Sequence, residues 1–92
     1  MPSDDDFSLL NLRKNLALPQ SEMARRMGLS LRPYQELESE VRAVRRRHIR
    51  LAESVALDVA VENDNPELAP TGIRRKAIKL TIAILMNNLL PK

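Results

Sequence analysis

Residues 20–38, QSEMARRMGLSLRPYQELE, decide how the rest of the chain is read. Apolar or small side chains recur at Met23, Ala24, Met27, Leu29, Tyr34 and Leu37, the spacing of two short helices closing on one small core. Gly28 falls between them and supplies a turn free of any Cβ penalty if its φ is positive. Ser21 and Ser30 stand just ahead of helical segments, as capping residues do. Pro33 sits in the first turn of the second helix, where a missing amide costs little. Ala24 is small enough to let that helix approach closely. With Tyr34 and Leu37 turned inward, Leu31, Arg32, Gln35, Glu36 and Ser39 are left for the outer face.

On the N-terminal side a helix is predicted over residues 5–17, with Phe7, Leu9, Leu10, Leu12 and Leu16 on its buried side. Ser3 and Asp4, Asp5 and Asp6 offer capping oxygens and negative charge to its free amides. Leu18 and Pro19 end it. On the C-terminal side, residues 40–47 form an arginine-dense connection. A fourth helix from His48 then carries Ile49, Ala52, Val55, Ala56, Val59 and Ala60 on one stripe. His48, the only histidine, reads as a helix-start or phosphate-facing residue. Residues 63–72, NDNPELAPTG, read as a loop, and a fifth helix follows over 73–90. Its apolar residues cover an arc of roughly 200°, wider than a helix lying on one surface requires. One side is free for its own domain and the other for a partner. The division is thus a domain over 1–62, a loop over 63–72 and a C-terminal helix over 73–92.

The 92 residues suffice for one domain, and a chain of this size buries only about 60% of its unfolded surface. Apolar content comes almost wholly from Leu, Ile, Val, Ala and Met, with two glycines and Phe7 and Tyr34 as the only aromatics. That composition favours an all-α fold over a sheet. The absence of cysteine excludes disulfides, thiolate catalysis and zinc–cysteine sites. No phosphate-cradling glycine loop is present, no carboxylate cluster or serine with a base accompanies His48, and an N-terminal cap accounts for Asp4, Asp5 and Asp6 without a metal, so no catalytic residue, metal or cofactor is expected. The opening MPSDDDFSLL lacks a secretory layout. The apolar run at residues 80–86 is far short of the roughly 20 residues that span a bilayer. A cytoplasmic location with no membrane association is the expectation. Net charge is +3, unevenly placed: residues 1–40 sum to −2, 41–50 to +5, 51–70 to −5 and 71–92 to +5. Two basic blocks of this kind suit a polyanion partner.

Arg13, Leu18, Gln20, Ala24, Gly28, Tyr34, Leu37 and Glu38 fall in one register that resembles the XRE family, the group of phage lambda repressor and Cro. The similarity spans about residues 9–60. It implies a compact four-helix lambda-repressor-like helix-turn-helix domain, here followed by the fifth helix, and binding to double-stranded DNA. In such folds the first motif helix crosses the backbone while the second enters the major groove. By resemblance, Leu31, Arg32, Gln35 and Glu36 would face bases. Arg32 suits guanine, Gln35 adenine and Leu31 a thymine methyl. Glu36 either accepts from cytosine or orients a neighbouring arginine. Gln20 would meet a phosphate at its helix start, Arg13 would pair with Glu38 and approach a phosphate, and Arg42, Arg45, Arg46 and Arg47 would lie along the backbone.

Two positions depart from the family pattern. Glu40 stands where glycine is frequent, which predicts a longer exit from the third helix, and Pro33 removes a hydrogen-bonding side chain. In the fifth helix, Ile78, Ile82, Leu85 and Leu89 are candidate dimer or partner contacts. A homodimer would set two reading helices about 34 Å apart on a two-fold operator. The leading expectation is a dimeric transcriptional repressor at a palindromic site. The alternative is a protein-interaction module, an antitoxin or antiactivator, that captures another protein through the apolar fifth helix.

Overall fold

The computed structural model describes residues 7–89, with the Leu89 side chain excepted, and every regular element within them is helical. Five α-helices follow in order: α1 Leu9–Asn15, α2 Gln20–Arg26, α3 Leu31–Glu38, α4 Arg46–Glu62 and α5 Thr71–Leu89. A 3-10 turn, Pro66–Leu68, joins the last two.

The start of α1 differs from the expected one. Ser8 is its N-cap, accepting the Asn11 amide at 3.1 Å, so the helix begins at Leu9 and not near residue 5. Phe7 precedes the helix and packs on the core from outside it. Ser3 and Asp4, Asp5 and Asp6 lie outside the described residues. Ser21 is no cap: it lies inside α2, whose N-cap is Pro19 in an extended conformation. Ser30 does occupy the N-cap of α3, but its side chain makes no capping bond. α4 begins two residues early, so Arg46 and Arg47 belong to the helix, and α5 likewise starts at Thr71.

One device ends all of the first four helices. Ala17, Gly28, Glu40 and Asp64 each take a positive φ, at 56°, 74°, 67° and 51°. This left-handed residue lets the chain fold back and satisfy carbonyls that the helix end leaves open. After α2, Gly28 donates to the Arg25 carbonyl at 3.0 Å and Leu29 to Ala24 at 2.9 Å. After α4, Asp64 donates to Val61 and Asn65 to Ala60. Glu40 therefore gives α3 a sharp exit in place of the longer one expected, doing with a side chain what glycine does without strain.

A non-glycine residue in this region costs about 1–2 kcal/mol, partly offset because glycine loses more backbone entropy on folding. Ala17→Gly and Glu40→Gly are each expected to stabilise the fold by ~0.5–1 kcal/mol. Thermal unfolding should show each midpoint rise by about 3–6 °C for a domain of this size. Gly28→Ala should lower it, although open space surrounds the added Cβ, because there the cost is conformational.

The core joins Leu9 and Leu16 of the α1 region, Met23, Ala24 and Met27 around α2, and Tyr34 and Leu37 of α3. From α4 come Ala52, Val55, Ala56 and Val59. Tyr34, Met23 and Leu37 are its largest fully enclosed side chains. The small residues on α4 let it lie close across α1, and Ala24 does the same between α2 and α3. His48 turns inward, 6% exposed, and Ile49 is only half-buried. The α4 stripe is thus rotated by one residue at its start relative to the expected one.

α5 behaves differently. Ile73 and Ala77 near its start are half-buried, whereas residues 78–88 are exposed. The helix is about 28 Å long and leaves the bundle after its first turns, and the molecule measures 54 × 27 × 22 Å. The expected packing of one α5 side on its own domain holds only for its first turns. Among the described residues, no helix is long and apolar enough to cross a membrane.

Candidate nucleic-acid interface

The α2–turn–α3 unit has a dry inner face and a polar outer one, and a chain of hydrogen bonds connects the two. Arg13 reaches from α1 to Glu38 at the end of α3, with Nε donating to Oε2 at 2.8 Å and an Nη to Oε1 at 2.7 Å. Its remaining Nη donates to the Leu18 carbonyl at 3.0 Å. The side chains are only 15% and 6% exposed. Gln20 Nε2 then donates to Glu38 Oε1 at 3.1 Å, and Gln35 Nε2 donates to Gln20 Oε1 at the same distance. Arg13, Glu38, Gln20 and Gln35 thus form one relay from a buried ion pair to the exposed side of α3.

The electrostatics follow from that geometry. The Arg13 guanidinium holds the Glu38 carboxyl down to about 2, against the opposing effect of burial. Glu38 in turn raises Arg13. Tyr34 lies beside them with its hydroxyl buried and without a hydrogen-bond partner among the described residues. Burial, and then the adjacent Glu38 carboxylate, push its phenol well above the usual range.

Each expected site residue can now be placed. Leu31, Arg32, Gln35 and Glu36 come together on the outer side of α3, with Leu31 43% exposed and the Arg32 side chain 91% exposed. Gln35 is exposed and held by Gln20, which leaves its carbonyl oxygen and second amide hydrogen available as an acceptor–donor pair. Glu36 is in contact with two arginines. Its Oε2 accepts from Arg42 Nε at 3.2 Å and Nη at 2.9 Å, and its Oε1 lies 3.8 Å from Arg32 Nε. Arg42 is therefore folded back onto α3. Arg45, Arg46 and Arg47 are exposed at the start of α4. Arg13 spends three of its five N–H donors inside the fold and is 15% exposed. Gln20 likewise spends its side chain inside the relay. Ile78, Ile82 and Leu85 lie on the exposed arm, apart from this surface. The Leu89 side chain lies outside the described residues.

Three features escaped the sequence reading. His48 Nδ1 accepts the Arg45 backbone amide at 2.9 Å, capping α4 from within. Burial first, then the neighbouring Arg47, Arg45 and Arg42 charges, lower its pKa. Arg26 reaches Glu62 at 2.7 Å and ties α2 to the far end of α4, a contact between residues 36 apart that has no local signal. Arg50 extends the basic run, since residues 46, 47 and 50 share one side of α4. The i, i+3 and i, i+4 spacing of these arginines was the available signal. No group of histidine, aspartate and glutamate among the described residues is placed to hold a metal.

No protein-family model, curated protein or solved structure matches the chain.

Proposed function

We propose that this protein is a sequence-specific DNA-binding regulator with a lambda-repressor-like helix-turn-helix, acting as a homodimeric cytoplasmic repressor at a palindromic operator. The observation that carries the reading is the outer side of α3. It presents a well-exposed guanidinium at Arg32, in loose contact with Glu36, and a pre-oriented amide at Gln35, on a short helix clamped from behind by the Arg13–Glu38 pair. Base edges in the major groove offer paired acceptors on guanine and a donor–acceptor pair on adenine, which these two groups match. Fixing the amide before contact lowers the entropy lost on binding. Arg45 and Arg47, with Arg46 beside them, supply backbone attraction that carries no base information.

The roles divide accordingly. Leu31 would meet a thymine methyl, Arg32 guanine and Gln35 adenine, while Glu36 orients Arg32 and Arg42. The α2 amino end, at Gln20, faces the backbone. Fluorescence anisotropy against duplexes from the gene's own upstream region, at moderate salt, tests the reading. The expected result is at least a hundredfold preference for one duplex over random sequence. Equal affinity for every duplex, or no binding at all, defeats it. No enzymatic role is proposed.

The alternative, capture of another protein by the apolar arm, draws on the exposure of α5. It is separated by the same titration, because an antitoxin-like module that uses α2–α3 only as scaffold shows no base preference.

A further inference from the structure

The first half of α5 and the end of α4 enclose an apolar groove of about 510 Å³, lined by Leu57, Ala60 and Val61 of α4, Ala69, and Ala77 and Ile78 of α5. Beyond it, Ile84, Leu85 and Met86 stand in solvent on the second half of α5. We propose that in the homodimer each chain seats the second half of its α5 in the other chain's α4–α5 groove, the two arms running antiparallel about an axis near Ile82. The inference rests on the dimer reading above and names the surface that makes the dimer.

Two observations select a second copy as the occupant. The first is area. Ile78, Leu80, Ile82, Ile84, Leu85 and Met86 are each at least half exposed. Of these, Ile78, Ile82, Leu85 and Met86 share one side of α5 at helical spacing and leave roughly 400 Å² of apolar surface uncovered, a large patch for a monomer and about half of the ~800 Å² each partner contributes to a stable interface. The second is charge. Arg74, Arg75, Lys76 and Lys79 occupy the first half of α5, while residues 81–89 carry no charge. A parallel pair would set cation against cation. The antiparallel pair sets each basic half against an uncharged one and brings the carbonyl pole of one helix toward cations that sit badly at the amino pole of the other.

The arrangement is reciprocal, and that makes it testable by complementation. Val61→Lys spoils the groove, and Ile84→Lys with Leu85→Lys spoils the arm. All three positions are half or more exposed, so the monomer fold tolerates both variants, which circular dichroism verifies. In each variant's own dimer both seats are defective. An equimolar mixture forms one clean seat, between the arm of the first and the groove of the second. Size-exclusion chromatography with light scattering should give twice the 10.5 kDa chain mass for the unmodified protein. It should give 10.5 kDa for each variant alone, and the doubled mass again on mixing. A dimer from either variant alone, or a mixture that stays monomeric, overturns the reciprocal seat. A monomeric unmodified protein removes the dimer reading as well. The anisotropy titration still judges DNA recognition, because a monomer can prefer its half-site. If Val61→Lys fails to fold, Ala77→Lys on the opposite groove wall takes its place.

Discussion

Glu38→Gln is expected to lower the stability at pH 7 by about 3 kcal/mol and the melting midpoint by roughly 12–24 °C. The carboxylate is 6% exposed and carries three hydrogen bonds, two from Arg13 and one from Gln20. Removing its charge strands the Arg13 guanidinium, itself 15% exposed, inside the bundle. Breaking one side of a buried pair in this way ordinarily costs 3–5 kcal/mol, on the order of the whole surplus of a small domain.

The pH dependence gives the same quantity by another route. Glu38 falls from 4.5 to about 2 on folding because Arg13 favours its charged form. Its folded value is the lower one, so its contribution is complete above pH 4.5 and disappears as pH falls toward 2. Urea unfolding of the protein and of Glu38→Gln should therefore differ most at neutral pH and converge near pH 2. A gap that does not narrow would show that packing, not the ion pair, sets the cost. Replacing both partners, Arg13→Met with Glu38→Leu, should recover most of the loss, since no buried charge is left alone.

Arg32→Ala and Arg47→Ala should separate into two distinct defects if α3 reads DNA. Arg32 stands clear of the surface, with only a loose 3.8 Å approach to Glu36, so its removal leaves the fold intact. A bidentate arginine–guanine contact discriminates by about 1–3 kcal/mol. The operator affinity should fall by roughly tenfold to a hundredfold per half-site, with random DNA little affected. Arg47 offers charge without base contact. Its loss should weaken every duplex alike and flatten the slope of log affinity against log salt by about one per half-site. Glu36→Gln adds a sharper discriminant. It releases Arg42 and Arg32 from a shared carboxylate, so random binding should strengthen while the preference for the operator narrows. If Arg32→Ala and Arg47→Ala shift all duplexes by the same factor, α3 is not the reading element.

Much of the helical plan was legible because it rests on local periodicity. Met23, Ala24, Met27, Tyr34 and Leu37 are buried as their spacing required, and Ala52, Val55, Ala56 and Val59 form the α4 stripe. Helix ends were less legible. Two of the four left-handed terminators, Ala17 and Glu40, carry no turn signature, and tertiary packing holds them in a conformation that their side chains disfavour. Serines misled for the complementary reason: Ser21 and Ser30 have the right chemistry for caps, but Pro19 already sets the entry to α2 and the Ser30 side chain makes no bond to the free amides of α3.

The candidate site divides along the same line. The outward set Leu31, Arg32, Gln35 and Glu36 follows from the helix period once Tyr34 and Leu37 are buried, and the structure places all four on one side of α3. What each group is held by does not follow from that period. Gln35 is oriented by Gln20, 15 residues earlier, Arg42 is drawn back to Glu36, and His48 is turned inward as a cap. By itself the sequence determined an all-helical chain, its core stripes, the turn at Gly28 and the exposed polar side of α3, because apolar periodicity and backbone freedom are local properties. Only the tertiary structure decided that Arg13 is enclosed with Glu38, that a relay reaches from them to Gln35, and that most of α5 stands free of its own domain. Those outcomes depend on which distant groups meet, and on whether water is excluded when they do.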